Sequence, residues 1–214
     1  MLRYLWLETK RQWRNREALI FRLGLPTAVY LILTVAEQGD GAGTTSLGTP
    51  SPTARMVALA GLGAVISGLA TGPSLGEERG NGWLRQLRVT PLRPSAAVGA
   101  KVAVAMSFVL PSIALVVGSA ALMEGIALEW WQWAGLIGGM SVATIPLTAL
   151  GVLIALTVNP DASQSATTLA FVVLWLLGGI FTPASLMPDV LAAVSRTLPS
   201  YGIVAVGDSV VLGT

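Results

Sequence analysis

Bond-making chemistry is narrow in this sequence from the outset, because its 214 residues include neither Cys nor His. Those side chains build most zinc, haem and iron–sulfur sites and serve in most nucleophile–base pairs. Without Cys there is no disulfide, so redox compartment cannot be read from cysteine usage. What remains is charge, 13 Lys and Arg against 11 Asp and Glu, and its most informative concentration is Gly76–Pro94. Here Trp83, Leu84 and Leu87 share one helical face and Arg85 and Arg88 another; Gly82 supplies the entering turn and Pro91 the stop. A short amphipathic helix of this kind binds, since its apolar side needs cover from either the headgroup zone or a docked protein. A sparser set, Asp189, Arg196 and Asp208, could form a small polar site. No Gly-x-x-x-x-Gly-Lys-Ser/Thr phosphate loop occurs, so any ATP is hydrolysed by a partner. No catalytic residue and no metal ligand is assigned.

The elements that must position that loop are apolar. Of all residues 53% are apolar and 11% charged, against roughly 25% charged in soluble domains, and the mean hydropathy is +0.71. Five runs approach the roughly 20 residues that cross about 30 Å of hydrocarbon: Leu19–Ala36, Met56–Leu75, Ala96–Met123, Ala134–Val158 and Ala166–Met187. Counted on alternate sides of these runs, eleven of the 13 basic residues fall on one side and only Arg55 and Arg196 on the other. The positive-inside rule then places the N-terminus and 76–94 in the cytoplasm and 37–55, 124–133 and 188–214 outside. Arg22 and Lys101, just inside span ends, are expected to reach back to the headgroups. Glu124 and Glu129 read as a solvated acidic loop.

Residues 1–18 carry no continuous apolar core of the signal-peptide kind. They read as an amphipathic helix in the membrane plane, with Leu2, Leu5, Trp6, Thr9 and Trp13 on one face and Arg3, Lys10, Arg11 and Arg14 on another. Residues 19–187 form a transmembrane domain carrying the loop 76–94, and 188–214 form outward-facing or re-entrant short segments. Pro26, Pro111 and Pro146 each favour a kink. Gly68/Gly72 and Gly135/Gly139 have spacings that let helices approach closely, and Trp130, Trp131 and Trp133 suit an interfacial belt.

Within 76–94, Glu78, Gly82, Leu84, Leu87 and Thr90-Pro91-Leu92 resemble the Glu-x-x-x-Gly-x-Leu-x-x-Leu-x-x-Thr-Pro-Leu pattern between the second and third spans of ABC-2 type transporter permeases. Gly99 and Lys101 match that family's Gly-x-Lys at the start of span three. A second patch, Gly179 to Pro183, then Met187-Pro188 and Leu198 to Tyr201, is similar to the family's segment after span five, which dips back into the membrane as short helices. The resemblance implies an all-α polytopic permease of six spans, of which five are seen here and the sixth is expected beyond Thr214.

The resemblance further implies a multi-pass half-transporter of the cytoplasmic (inner) membrane, drug-exporter-like in flavour. It would pair with a second permease subunit, as homodimer or heterodimer, and with a cytoplasmic ATP-binding cassette subunit. ATP and Mg would sit on that ATPase subunit, with no cofactor and no nucleic acid on this chain. Trp83, Leu84 and Leu87 would enter a cleft on the ATPase as a coupling helix, with Glu78 and Arg79 anchoring the start of the loop.

The central portions of the five runs hold no charge, which disfavours ion-coupled transport and suits an amphipathic or hydrophobic cargo such as a drug, antibiotic or lipid-like molecule. Candidate path residues are Ser107, Thr144, Phe171 and Trp175. The rival reading, a stand-alone secondary transporter or channel, is weakened by the same lack of charge, and no inverted repeat is evident. A membrane-embedded enzyme would need acids, His or a Ser–Lys pair at depth, and none is found.

Overall fold

The computed structural model describes residues 2–40, 51–82, 94–126, 128–181 and 187–212, and among these every regular element is helical. Four helices are long and apolar enough to cross a membrane: Arg16–Ala36, Pro52–Gly80, Gly99–Glu124 and Trp130–Thr157, here the first to fourth spans. Successive spans run in opposite directions, so the bundle has an arginine-rich end, carrying the helix Leu2–Trp13, and a tryptophan end, carrying Trp130 and Trp131.

The second span is the axis. Ser51 starts it as N-cap, its hydroxyl accepting from the Ala54 N–H at 3.2 Å, with Pro52 in the first turn. Most of this span is buried, whereas the first lies mostly exposed on the outside of the bundle. Its small residues explain why so many neighbours fit around it. A Cβ on Gly68 would stand 2.8 Å from Thr144 of the fourth span, and one on Gly72 would stand 2.5 Å from the Thr167 hydroxyl. Gly61 meets Ile203 and Val204 of the last helix, while Val206 and Val210 of that helix approach Gly139 and Gly135. Both glycine pairs singled out in the sequence are therefore contact surfaces. Gly72→Val is expected to lower stability by about 1–3 kcal/mol, since Thr167 and the Gly151 carbonyl leave no room. Thermal melts in detergent check this against Gly118→Ala, where nothing lies within 4 Å and little change is expected.

The prolines act unequally. Pro26 follows a π-helical turn, Ile20–Gly24, and the Arg22 carbonyl four residues before it accepts from the Ser112 hydroxyl at 2.9 Å. A neighbouring span thus satisfies the group that the missing N–H leaves open. Pro146 sits in the first turn after a break at Thr144. Pro111, by contrast, lies inside an unbroken helix, Pro94–Glu124. The second span breaks instead at Ala70, between Pro52–Leu69 and Thr71–Gly80. Pro73 has no N–H for the Leu69 carbonyl there, and the Thr71 hydroxyl ties the break to the Thr148 carbonyl at 3.2 Å.

The fifth apolar run, Ala166–Met187, is not one helix. A helix spans Ser163–Leu177, 15 residues or roughly 22 Å of rise, and ends at Gly178-Gly179, where Gly179 has φ +79°. Beyond lie Asp189–Thr197 and Pro199–Leu212, bent 89° from each other. The second of these enters the bundle, with Ile203 fully buried and the Ser200 hydroxyl on the Leu174 carbonyl at 3.1 Å.

Candidate functional site

The arginine-rich end is organised around a buried ammonium. Lys101, one turn into the third span, is 3% exposed and lies 2.8 Å from Glu8 Oε1 and 2.5 Å from Glu78 Oε1; both carboxylate side chains are 8% exposed. Glu8 belongs to the helix Leu2–Trp13 and Glu78 to the last turns of the second span. Three elements far apart in sequence thus meet on one charge. Taking ions this far out of water is costly unless pairing and hydrogen bonds compensate; the surroundings supply both to Glu8, whereas Glu78 Oε2 is buried without a hydrogen-bond partner. The Gln12 amide donates to Glu8 at 3.3 Å and its oxygen accepts from Arg22 at 2.9 Å. Arg11 stands 3.8 Å from Glu78, and the Arg22 guanidinium lies over the Phe108 ring at 4.7 Å.

Two sequence expectations change here. Lys101 does not reach back to the headgroups, because two carboxylates lie closer, and Arg22 turns onto Gln12 and Phe108. The N-terminal helix also faces the bundle differently from its apolar stripe. Glu8 and Gln12 point inward, Trp13 stacks on Phe108 at 5.1 Å, and Trp6 is 61% exposed. The side chain of Leu5 lies outside the described residues.

Burial pushes the Glu8 carboxyl up, but hydrogen bonding and charge from Lys101, with Gln12 and Arg11, outweigh it and hold the pKa below its ordinary value. A lowered carboxylate pKa means that the stabilisation is complete above the unfolded value, about 4.3, and is lost as pH falls through the lowered one. Docking of the N-terminal helix should therefore be unchanged from pH 7 to 5 and loosen only below about pH 4. A spin label at Leu7→Cys, in a chain with no other cysteine, reports this; mobility rising already near pH 6 would contradict it.

Next to Glu78, Arg79 points toward the fourth span, donating to the Ala155 carbonyl and, at 3.1 Å, to the Val158 carbonyl. Ala155 lies in the last turn of that span and Val158 caps it, where helix carbonyls lack internal partners. Adjacent residues thus fix the exit of the second span to the N-terminal helix, the third span and the fourth span. Gly82 follows in the left-handed region, φ +72°, which favours glycine. Trp83, Leu84, Leu87 and Pro91 lie outside the described residues.

At the tryptophan end, Glu124 is not a solvated loop residue. Its side chain is 10% exposed and pairs with Arg55, itself 3% exposed. It also accepts from the Tyr30 hydroxyl at 2.7 Å and from Thr34 at 3.2 Å. Donors from the first and second spans draw it inward. The available signal was opposite charge at the facing ends of the second and third spans, Arg55 and Glu124.

Beside Arg55 lies a cavity of about 360 Å³ between the first span, the second span and the helix Ser163–Leu177. Leu25, Val29, Leu59, Leu62, Phe171 and Trp175 supply most of its wall. Phe171 and Trp175 stack with centroids 6.3 Å apart, and Phe181 tilts against Trp175 at 5.0 Å. The other two candidate path residues stand elsewhere. Ser107 bonds the Val104 carbonyl and accepts from Trp13, and fully buried Thr144 bonds the Met140 carbonyl. Among the described residues no three acidic side chains gather as metal ligands would.

Apolar spans of alternating direction, charge confined to their ends and an apolar cavity between them define a polytopic all-α membrane protein. Comparison with known proteins gives the family: the ABC-2 type transporter profile matches residues 2–206, and the chain belongs to this family. It is 26% identical over 203 residues to "Putative transport permease YvfS" of Bacillus subtilis (strain 168), covering 91% of this chain and 78% of that protein. No solved structure matches it.

Proposed function

We propose that this chain is the permease subunit of an ATP-binding cassette exporter, moving an amphipathic or hydrophobic cargo across the cytoplasmic membrane. The observation that carries the reading is the Glu8–Lys101–Glu78 cluster. It places heavy reinforcement where the second span leaves the bundle and the amphipathic segment 83–93 begins. A loop that merely connected two spans would not require three elements to be joined beneath it. A loop that takes force from a partner would, because displacement at Glu78 and Arg79 reaches the N-terminal helix and the third and fourth spans together.

On this reading the arginine-rich end faces the cytoplasm, and Trp83, Leu84 and Leu87 sit in a cleft of an ATPase subunit that binds ATP and Mg. The exposed Trp6 anchors the N-terminal helix in the headgroup zone, while Trp13 joins the helix to the third span. A second permease subunit, identical or related, completes the transporter. The cavity lined by Phe171 and Trp175 receives cargo, and Ser107 and Thr144 serve packing. Reconstitution with the ATPase subunit tests this. ATP hydrolysis should rise severalfold with lipophilic compounds and stay flat with small ions and sugars; stimulation by the hydrophilic set alone would count against the cargo class.

A further inference from the structure

We infer that the outward side of the helix Leu2–Trp13 binds acidic phospholipids in preference to zwitterionic ones, through a row formed by Trp6, Lys10 and Arg14. It rests on the reading that this helix meets the headgroup zone, and on neither cargo nor ATPase. Residues 1–18 mix acids with cations in sequence, and the fold separates them. Glu8, the one acidic residue of the helix, is turned into the bundle and lies 2.8 Å from Lys101. Lys10, Arg11, Arg14 and Arg16 are all exposed, with Glu17 the only exposed acid among residues 6–17. Among the described residues no carboxylate pairs with Lys10, Arg14 or Arg16, and Arg11 has Glu78 at 3.8 Å. The outward side is therefore positive and uncompensated.

Position supplies the membrane. The first span begins at Arg16, so Arg14 stands just where the chain enters the hydrocarbon. Trp6, Lys10 and Arg14 follow at intervals of four, and the Arg14 N–H on the Lys10 carbonyl at 3.1 Å continues the helical turn. The three side chains thus share one side, each about 6 Å along from the last. The Lys10 ammonium lies over the Trp6 ring at 4.7 Å, and Leu7 beside it is exposed. A ring and an aliphatic chain at this level enter the acyl boundary, while the cations beside them meet phosphates. A zwitterionic headgroup brings its own ammonium with its phosphate, so its net attraction to this row is small. Phosphatidylglycerol brings the phosphate alone, and each Lys or Arg near a surface of that charge adds to binding. Lipid outside and Lys101 inside then hold the helix from both sides.

A fluorophore at Leu7→Cys, in a chain with no other cysteine, reads this by quenching from brominated lipid. The full chain is placed in phosphatidylcholine nanodiscs that contain either brominated phosphatidylglycerol or, at the same mole fraction, brominated phosphatidylcholine. The label should be quenched as though the brominated phosphatidylglycerol were at least about threefold enriched around it, and the enrichment should fall at high salt. A label at Leu122→Cys, exposed on the third span near the tryptophan end, should be quenched equally by the two lipids. Lys10→Gln/Arg14→Gln/Arg16→Gln should bring the Leu7→Cys label to the same equality, with Lys10→Gln/Arg14→Gln in its place if the triple variant does not insert. Lys10→Arg should keep the enrichment. Equal quenching by both lipids in the otherwise unchanged chain, or an enrichment that the glutamine variants retain, would overturn the acidic preference while leaving the helix on the membrane. No quenching by either lipid would overturn the membrane contact as well.

Discussion

Leu84→Asp or Leu87→Asp should abolish co-purification of the proposed ATP-binding subunit while leaving this chain in the membrane at its normal level. By their spacing in the sequence both positions are expected on one apolar helical face after Gly82, and an interface of the proposed type concentrates its energy in a few such anchors. An aspartate introduced there loses its hydration without gaining a partner, at a cost of several kcal/mol, so an apparent affinity loss of about 100-fold or more is expected. Arg85→Gln, on the opposite face, should retain most of the complex. If both aspartate variants still brought down the ATPase in full yield, the contact would lie elsewhere.

Lys101→Met carries the second large effect. Removing the ammonium leaves Glu8 and Glu78 buried close together with their common counter-ion gone. Breaking a buried pair from one side costs about 3–5 kcal/mol, and here two carboxylates lose their partner at once. The expected results are a lowered melting temperature in detergent and an N-terminal helix released from the third span, seen as faster motion of a label at Leu7→Cys. The triple variant Glu8→Gln/Glu78→Gln/Lys101→Met should recover much of the loss, because it removes the stranded charge along with its partner. If the single and triple variants behave alike, the cluster contributes through shape and not through charge.

Much of this architecture was legible as hydropathy. The run Leu19–Ala36 became a span beginning at Arg16, and Met56–Leu75 became Pro52–Gly80. The differences lie at the ends, where helices continue past the apolar stretch because polar residues there find partners, as Glu78 and Arg79 do. The fifth run misled because hydropathy does not register backbone conformation: Gly178 and Gly179 are apolar enough to extend a run, yet they end a helix. Ion pairs were the least legible feature. Glu8, Glu78 and Lys101 are separated by 70 and 23 positions, so no local pattern links them, and a rule that counts each basic residue toward orientation treats it as solvated. Glu124 was misread for the same reason, its partners Tyr30, Thr34 and Arg55 being distant in sequence.

Phe171 and Trp175 were picked out by side-chain type and do share a cavity, whereas Ser107 and Thr144 were picked out as hydroxyls and bond their own helices. In apolar spans a hydroxyl commonly finds a backbone carbonyl three or four residues back. Aromatic bulk is thus the better guide here to open space between helices, because flat rings packed against curved helices leave gaps.

The claim on which the account most depends is that an ATP-binding protein seats on the segment 83–93, which follows Glu78 and Arg79 in the chain. It is tested by placing a photo-crosslinking residue at Trp83 in the full chain, irradiating native membranes and identifying what is captured by mass spectrometry. The account predicts a soluble subunit carrying a phosphate-binding loop, joined at Trp83 and lost when Leu84 is also changed to Asp. Cross-links to lipid alone, or labelling at Trp83 by a membrane-impermeant reagent added from outside the cell, would contradict it.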